Sequence, residues 1–316
     1  MARKQRKHQR RHRRGDDVVQ HREMVRSSGL SKQSSLLLTS SIFLAHSIGL
    51  ALLFDPMIGL VNTQSLIDQD WGLHFHHLRS LAAFWNRDGA SWGYNPYFMA
   101  GYPSNTIQDL SIKFFESIAI GLSAIALSPI QWFKLSAFLA TSSLPWLMYF
   151  AGQNFFASDD SRHRMGVLAA LLGTTYWWNS LPREMFFYGM IGFPVAAYLS
   201  VLGVSLFYRV AVLRPQFGAV FFGWLLFWVA ILPLHVQSIV TFLPPMLLLL
   251  VLRPRTLTPR IVVWTAAAVG LSLVINSGWL MPAISHRGDD ASAAIVTQLP
   301  LFADTDLFTF ILDYVG

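Results

Sequence analysis

DQDWGLHFHHLRSLAAFWNRDGASWGYNPYFMAGYPSNTIQDLSIKFFE, residues 68–116, is the densest run of acids, histidines and aromatics in the chain. One hydrophobic segment, residues 36–54, precedes it, and a row of further hydrophobic segments follows. The side of a membrane on which this run lies, and whether its last part crosses, sets the direction of every segment after it.

Of the 316 residues, 53% are hydrophobic and only 13% charged, whereas a soluble domain carries about a quarter charged residues. Long stretches carry no charge at all, which is the signature of repeated membrane spans. There is no cysteine, which excludes a disulfide framework and a thiolate metal site. The net charge of +7 is a local matter. Eight of the 24 Lys and Arg fall in the first fourteen residues, where there is no acid, leaving 16 against the 17 acidic residues. Residues 1–34 read as a disordered basic tail that stays in the cytoplasm, fixes orientation and touches anionic lipid. Nothing folded accompanies the charge run, so nucleic acid is set aside as a partner. No small-residue cleavage site follows, so this is not a typical secretory signal.

Residues 36–54 (LLLTSSIFLAHSIGLALLF) form a first span of about 19 residues, long enough to cross. His46 lies within it, an intramembrane ionisable group. Further spans are expected at 131–150, 166–178, 188–210, 217–232, 236–251 and 261–275. The positive-inside rule puts the arginine-bearing turns 159–165, 209–215 and 253–260 in the cytoplasm. The connections 179–187, 233–235 and 276–316 then fall outside. This parity holds only if residues 111–127, which carry Lys113 and Glu116, do not cross. The expectation is an all-α, polytopic transmembrane bundle of about seven spans, within a module of residues 35–283. The first loop, 55–128, is large, extracytoplasmic and contains amphipathic interfacial helices. Pro244 and Pro245 sit mid-span and should bend their helix. Residues 284–316 make an outside segment, from which a longer chain is expected to continue.

Reactive side chains converge on the outer face. In a helix over 70–85, Asp70, His74 and His77 share one face, beside an apolar stripe of Trp71, Leu78, Leu81 and Trp85. That pattern describes an interfacial helix. The Asp–His–His face suits a divalent metal such as Mn, Zn or Mg, and equally suits histidines that hydrogen-bond at the interface. Asp70, or Asp68 beside it, suits a general base, because a carboxylate losing water rises in pKa. Trp92, Tyr94, Asn95, Tyr102 and Asp109 lie in a run rich in Gly, Pro and aromatics that reads as a structured loop, neither strand nor helix. Its rings could stack on a sugar or anchor at the interface. Asp109 and Lys113 are spaced for an i,i+4 ion pair. Arg183 is well made to grip a lipid-linked phosphate in bidentate fashion, or to snorkel to headgroups. His235 could join it, and Asn276, Trp279 and His286 close the set.

An acid-led first loop, then DWGLHFHH, then W-GYNPYFMAGYP, with NSGWLMP (276–282) as a weaker second match, resembles membrane glycosyltransferases of the GT-C superfamily. Its look is nearest to bacterial polytopic proteins labelled as 6-pyruvoyl-tetrahydropterin-synthase-related membrane domains. The likeness covers about residues 36–285, and its specific part is 68–116. The resemblance implies a seven-span module with its catalytic loop outside and a polyprenyl-phosphate sugar as donor, transferred with inversion. It implies Asp70 or Asp68 as base, Glu184 as the second-loop acid, and Arg183, Lys113 or His235 as phosphate ligands. Two other classes compete. A transporter or lipid flippase would carry charges at mid-bilayer depth in several spans, where here only His46 is evident. A non-catalytic scaffold would use the loop for display alone.

Overall fold

The structure is a computed structural model that describes residues 31–53, 59, 62–63, 69–96, 102–104, 112–213, 218–235 and 238–285. Asp68, Asp109, His286 and nearly all of the basic tail lie outside these residues.

The first helix, α1 (Lys32–Leu53), begins earlier than its apolar run because the Ser31 hydroxyl accepts the Ser34 amide at 3.1 Å. Its side chains are sorted in the reverse of a soluble helix. Ser35, Thr39 and His46 are buried, while Leu37, Leu44, Ile48 and Leu52 face outward. The same sorting recurs further on, with Ser200, Ser205 and Ser272 inside and Leu171, Leu172, Phe222, Val240, Leu248 and Val263 outside. Contiguous outward aliphatics with hydroxyls at the helix contacts are what a lipid solvent selects. By length and composition two helical segments can cross a membrane, α1 and the stretch Gly192–Leu213. A third is possible if a helix pair bent by 77° counts as one span.

Helix α2 (Gln69–Asp88) follows, then a short antiparallel hairpin of β1 (Gly93–Asn95) and β2 (Tyr102–Ser104). The hairpin corrects the expectation of a loop without strands. Runs of three residues are too short for period-two alternation to register. Next, α3 (Lys113–Gly121) has nine residues, about 13 Å of rise, too little to cross. Ser128 and Gln131 close a capping box that starts α4 (Pro129–Ser142). The expected span 131–150 is broken at Ser143, where α5 (Leu144–Asn154) starts with Pro145 in its first turn. That proline has no amide to give and would clash with the preceding helical turn.

Helix α6 (Asp159–Trp177) absorbs the expected charged turn into its own first turns, with Asp159 at the favourable amino end. The connection 179–187 is itself helical, as α7 (Ser180–Phe187). Then come α8 (Gly192–Tyr208) with a π-helical turn (Arg209–Leu213), α9 (Gly218–Leu234) and α10 (Ser238–Leu252). Pro244 and Pro245 lie within α10 without ending it. A 3-10 turn (Pro254–Thr256) leads to α11 (Pro259–Ile275) and α12 (Ser277–Ser285). The 77° bend falls between these last two. Asn276 pins it by giving its amide to Ser272 O and Val229 O and accepting from Trp279 Nε1.

From α5 onward the legs alternate in direction. Asn154 Nδ2 reaches Ser205 Oγ at 3.2 Å, and the Phe155 and Tyr208 rings meet at 5.3 Å, so α5 and α8 finish at one end. The π turn and the 3-10 turn also meet there, around a shared cavity. At the opposite end, the Phe193 and His235 rings meet at 5.5 Å, and Ser91 Oγ donates to Gly278 O at 2.7 Å. The first end gathers Arg162, Arg164, Arg209, Arg253, Arg255 and Arg260. The second gathers the amino end of α2, the hairpin and α7.

Candidate functional site

The amino end of α2 is stapled to the segment after α7. The Asp70 amide donates to Tyr188 O at 2.9 Å, Trp71 Nε1 donates to Phe186 O at 3.1 Å, and His74 Nε2 meets Gly189 O at 2.8 Å. A carbonyl only accepts, so His74 must carry its proton on Nε2. The fit depends on Gly189, whose φ is +85°. A Cβ there would stand 2.5 Å from the Trp71 amide nitrogen and 3.1 Å from Asp70 Cβ. Phe186 sits beneath, its ring 5.8 Å from both Trp71 and Trp177.

This junction brings the elements that carry several of the expected residues to one end of the bundle. Asp70 is half-buried at the rim. On α7, which ends one residue before Tyr188, Arg183 is half-buried and Glu184 exposed. The hairpin lies over α2, where Gly93 packs against the Phe84 ring and Asn95 Nδ2 reaches Ser80 Oγ at 3.5 Å. Tyr94 is largely exposed, and Trp92 is half-buried. Tyr102 is placed on β2 opposite Asn95.

Other expectations need correction. The histidine face of α2 points inward: His74 and His77 are buried together with Trp71, Phe75, Leu78 and Leu81, packed on Phe133 of α4. Trp85, expected in the apolar stripe, is outside it and half exposed. Helix α2 is therefore docked on the bundle through this face. Asp70 and His77 are seven residues apart, about 10 Å along the axis, and His74 Nε2 is committed to Gly189. Among the described residues no group of three His, Cys, Asp or Glu could hold a metal ion. Lys113 is not presented to any headgroup. It is buried, with its Nζ 2.8 Å from Glu116 Oε2. His235 is at the right end but packed against Phe193, and burial lowers its pKa below the usual imidazole value. Asn276 and Trp279 are consumed by the bend.

Two features carry no mark in the expectations. Lys134 is fully buried in α4, and its Nζ donates to Gly59 O at 2.5 Å, Asn62 O at 2.9 Å and Asn62 Oδ1 at 2.8 Å. The only signal was a lysine inside an apolar run with no acid at helical spacing. The second is an apolar cavity of about 380 Å³ between α3, α4, α5, α8 and α9, lined by Phe114, Trp132, Leu139, Leu147, Val195 and Leu199 among others. Neither Pro244 nor Pro245 lines it. Family models, curated proteins and solved structures offer no match to this chain.

Proposed function

We propose that this chain is a membrane glycosyltransferase that moves a sugar from a polyprenyl-phosphate donor to an acceptor outside the cytoplasm, with Asp70 as general base. The observation that carries it is the junction of α2 with the residue 186–189 segment. It holds the first-loop acid at the same end of the bundle as Arg183 and Glu184. The arginine-rich turns gather at the opposite end, which supports seven crossings with that end cytoplasmic. In this reading α3 does not cross.

The chemistry follows from the arrangement. A half-buried carboxylate takes the acceptor's proton as its oxygen attacks the anomeric carbon. The bond to the lipid phosphate breaks through an oxocarbenium-like state, and the leaving phosphate gains charge. Arg183 stabilises that charge more in the transition state than in the ground state. The cavity beside Phe114 is apolar enough to take the first isoprene units of a lipid chain.

The test is Asp70→Asn in the full chain, assayed for transfer from polyprenyl-phosphate sugars in vesicles. Transfer is lost while insertion and unfolding are unchanged. Full transfer by the variant removes Asp70 as base. The chain has no cysteine, so single cysteines at Asp88, Arg183 and Arg255 report sidedness directly. The first two label from outside and the third from inside. Opposite labelling of Asp88 and Arg183 ends the transferase reading.

A further inference from the structure

At the arginine end, two guanidinium groups lack sufficient partners. Arg162 lies in the first turn of α6, and Arg209 opens the π turn after α8. The Asn154–Ser205 hydrogen bond and the Phe155–Tyr208 ring contact hold the end of α5, five residues before α6 begins, against the end of α8 that runs into the π turn. Arg209 lies within electrostatic reach of both Arg162 and Asp159. Arg162 Nη1 donates to Asp159 Oδ1 at 3.2 Å, but that carboxylate is 84% exposed. Among the described residues, Arg209 Nη1 and Arg162 Nε are closed off from solvent with no hydrogen-bond partner, and Arg209 makes no ion pair.

A charged donor that has lost water without gaining an acceptor is costly, and a like charge beside it adds to the cost. An anion with several oxygens removes both problems. Phosphate matches the planar fork of guanidinium, and two forks can share its oxygens. The setting points to its source. The arginines lie at the end of α6, whose Leu168, Leu171 and Leu172 face outward, and of α8, which with its π turn is long and apolar enough to cross a membrane, so in a bilayer this end meets the headgroups. The same π turn also borders a cavity of about 390 Å³ lined by Ala211, Val212, Arg253 and Arg255 among others. Basic pockets between spans at a membrane face hold lipid phosphates.

We propose that Arg162 and Arg209 form a phosphate-binding site at the end of the bundle opposite Asp70, occupied by the headgroup phosphate of an anionic lipid. The site is independent of the transferase reading and requires only that the bundle sits in a membrane. The full chain, purified in a zwitterionic detergent, is titrated with phosphatidylglycerol, phosphatidylcholine of the same acyl chains, or inorganic phosphate. Binding is read by native mass spectrometry and protection by thermal unfolding. Phosphatidylglycerol binds and raises the unfolding temperature, and phosphatidylcholine does not. Arg162→Gln and Arg209→Gln each weaken phosphatidylglycerol binding about tenfold, one charge-assisted pair's worth. Arg87→Gln, at the other end, leaves it unchanged. Protection by inorganic phosphate to which the lipid adds nothing keeps the site and overturns the lipid as its source. Equal lipid binding by wild type and both Gln variants overturns the site. Should Arg209→Gln not fold, Arg209→Lys keeps the charge and loses the fork. Weakened binding then supports the site, and wild-type binding overturns it.

Discussion

Replacing Gly189 by alanine tests how the two acid-bearing segments are held. At φ +85° a Cβ costs about 1–2 kcal/mol by itself. It would also stand 2.5 Å from the Trp71 amide nitrogen and 2.9 Å from the Asp70 carbonyl carbon. Both are backbone atoms and cannot swing aside, so the segments must part. Parting loses the Asp70–Tyr188 and His74–Gly189 hydrogen bonds, each worth about 1 kcal/mol. Gly189→Ala should therefore destabilise by about 3–4 kcal/mol. The matched control is Gly72→Ala, on α2 beside Trp71, where nothing lies within 4 Å of the added carbon. That change should be neutral or stabilise by up to about 1 kcal/mol, the ordinary helix preference for alanine. Both are measured by denaturing detergent titration from mixed micelles, followed by circular dichroism. A loss below about 1 kcal/mol for Gly189→Ala, or an equal loss for Gly72→Ala, refutes the account of the junction.

Two further outcomes are expected. Lys113→Met removes the ammonium 2.8 Å from the buried Glu116 carboxylate and should cost roughly 3–5 kcal/mol, while Lys113→Met with Glu116→Leu recovers most of it; the same titration decides. His235 has a folded pKa below its unfolded value of about 6.5. Its contribution is therefore complete above that value and lost as pH falls toward the folded pKa. The unfolding midpoint should drop between pH 7.5 and 5.5, and His235→Gln should flatten the drop.

Helical character and the placement of most segments could be read from the chain, because apolar runs bounded by arginines are a strong local signal. So could the helix that carries Asp70. What escaped was set by contacts distant in sequence. His74 and His77 sit at a spacing equally good for a metal face or a core face, and only Phe133 and Gly189, 56 or more positions later, decide for the core. Lys113 lies at helical spacing from both Asp109 and Glu116, and only the fold shows its pair with Glu116, Asp109 being outside the described residues. The break at Ser143 was written in Pro145, but an unbroken hydropathy run hid it.

The oxygens around Lys134 carry a consequence for biogenesis. In the proposed seven-crossing arrangement, α4 taken alone would enter lipid with a bare ammonium in its flank, which a bilayer resists. Gly59 and Asn62 supply the three oxygens that solvate it, and they leave the ribosome some seventy residues sooner. Synthesis thus delivers the solvating shell before the charge that needs it. A permuted gene that made residues 31–63 last would reverse that order and, in the proposed arrangement, deliver the Lys134 charge to the bilayer before its oxygens.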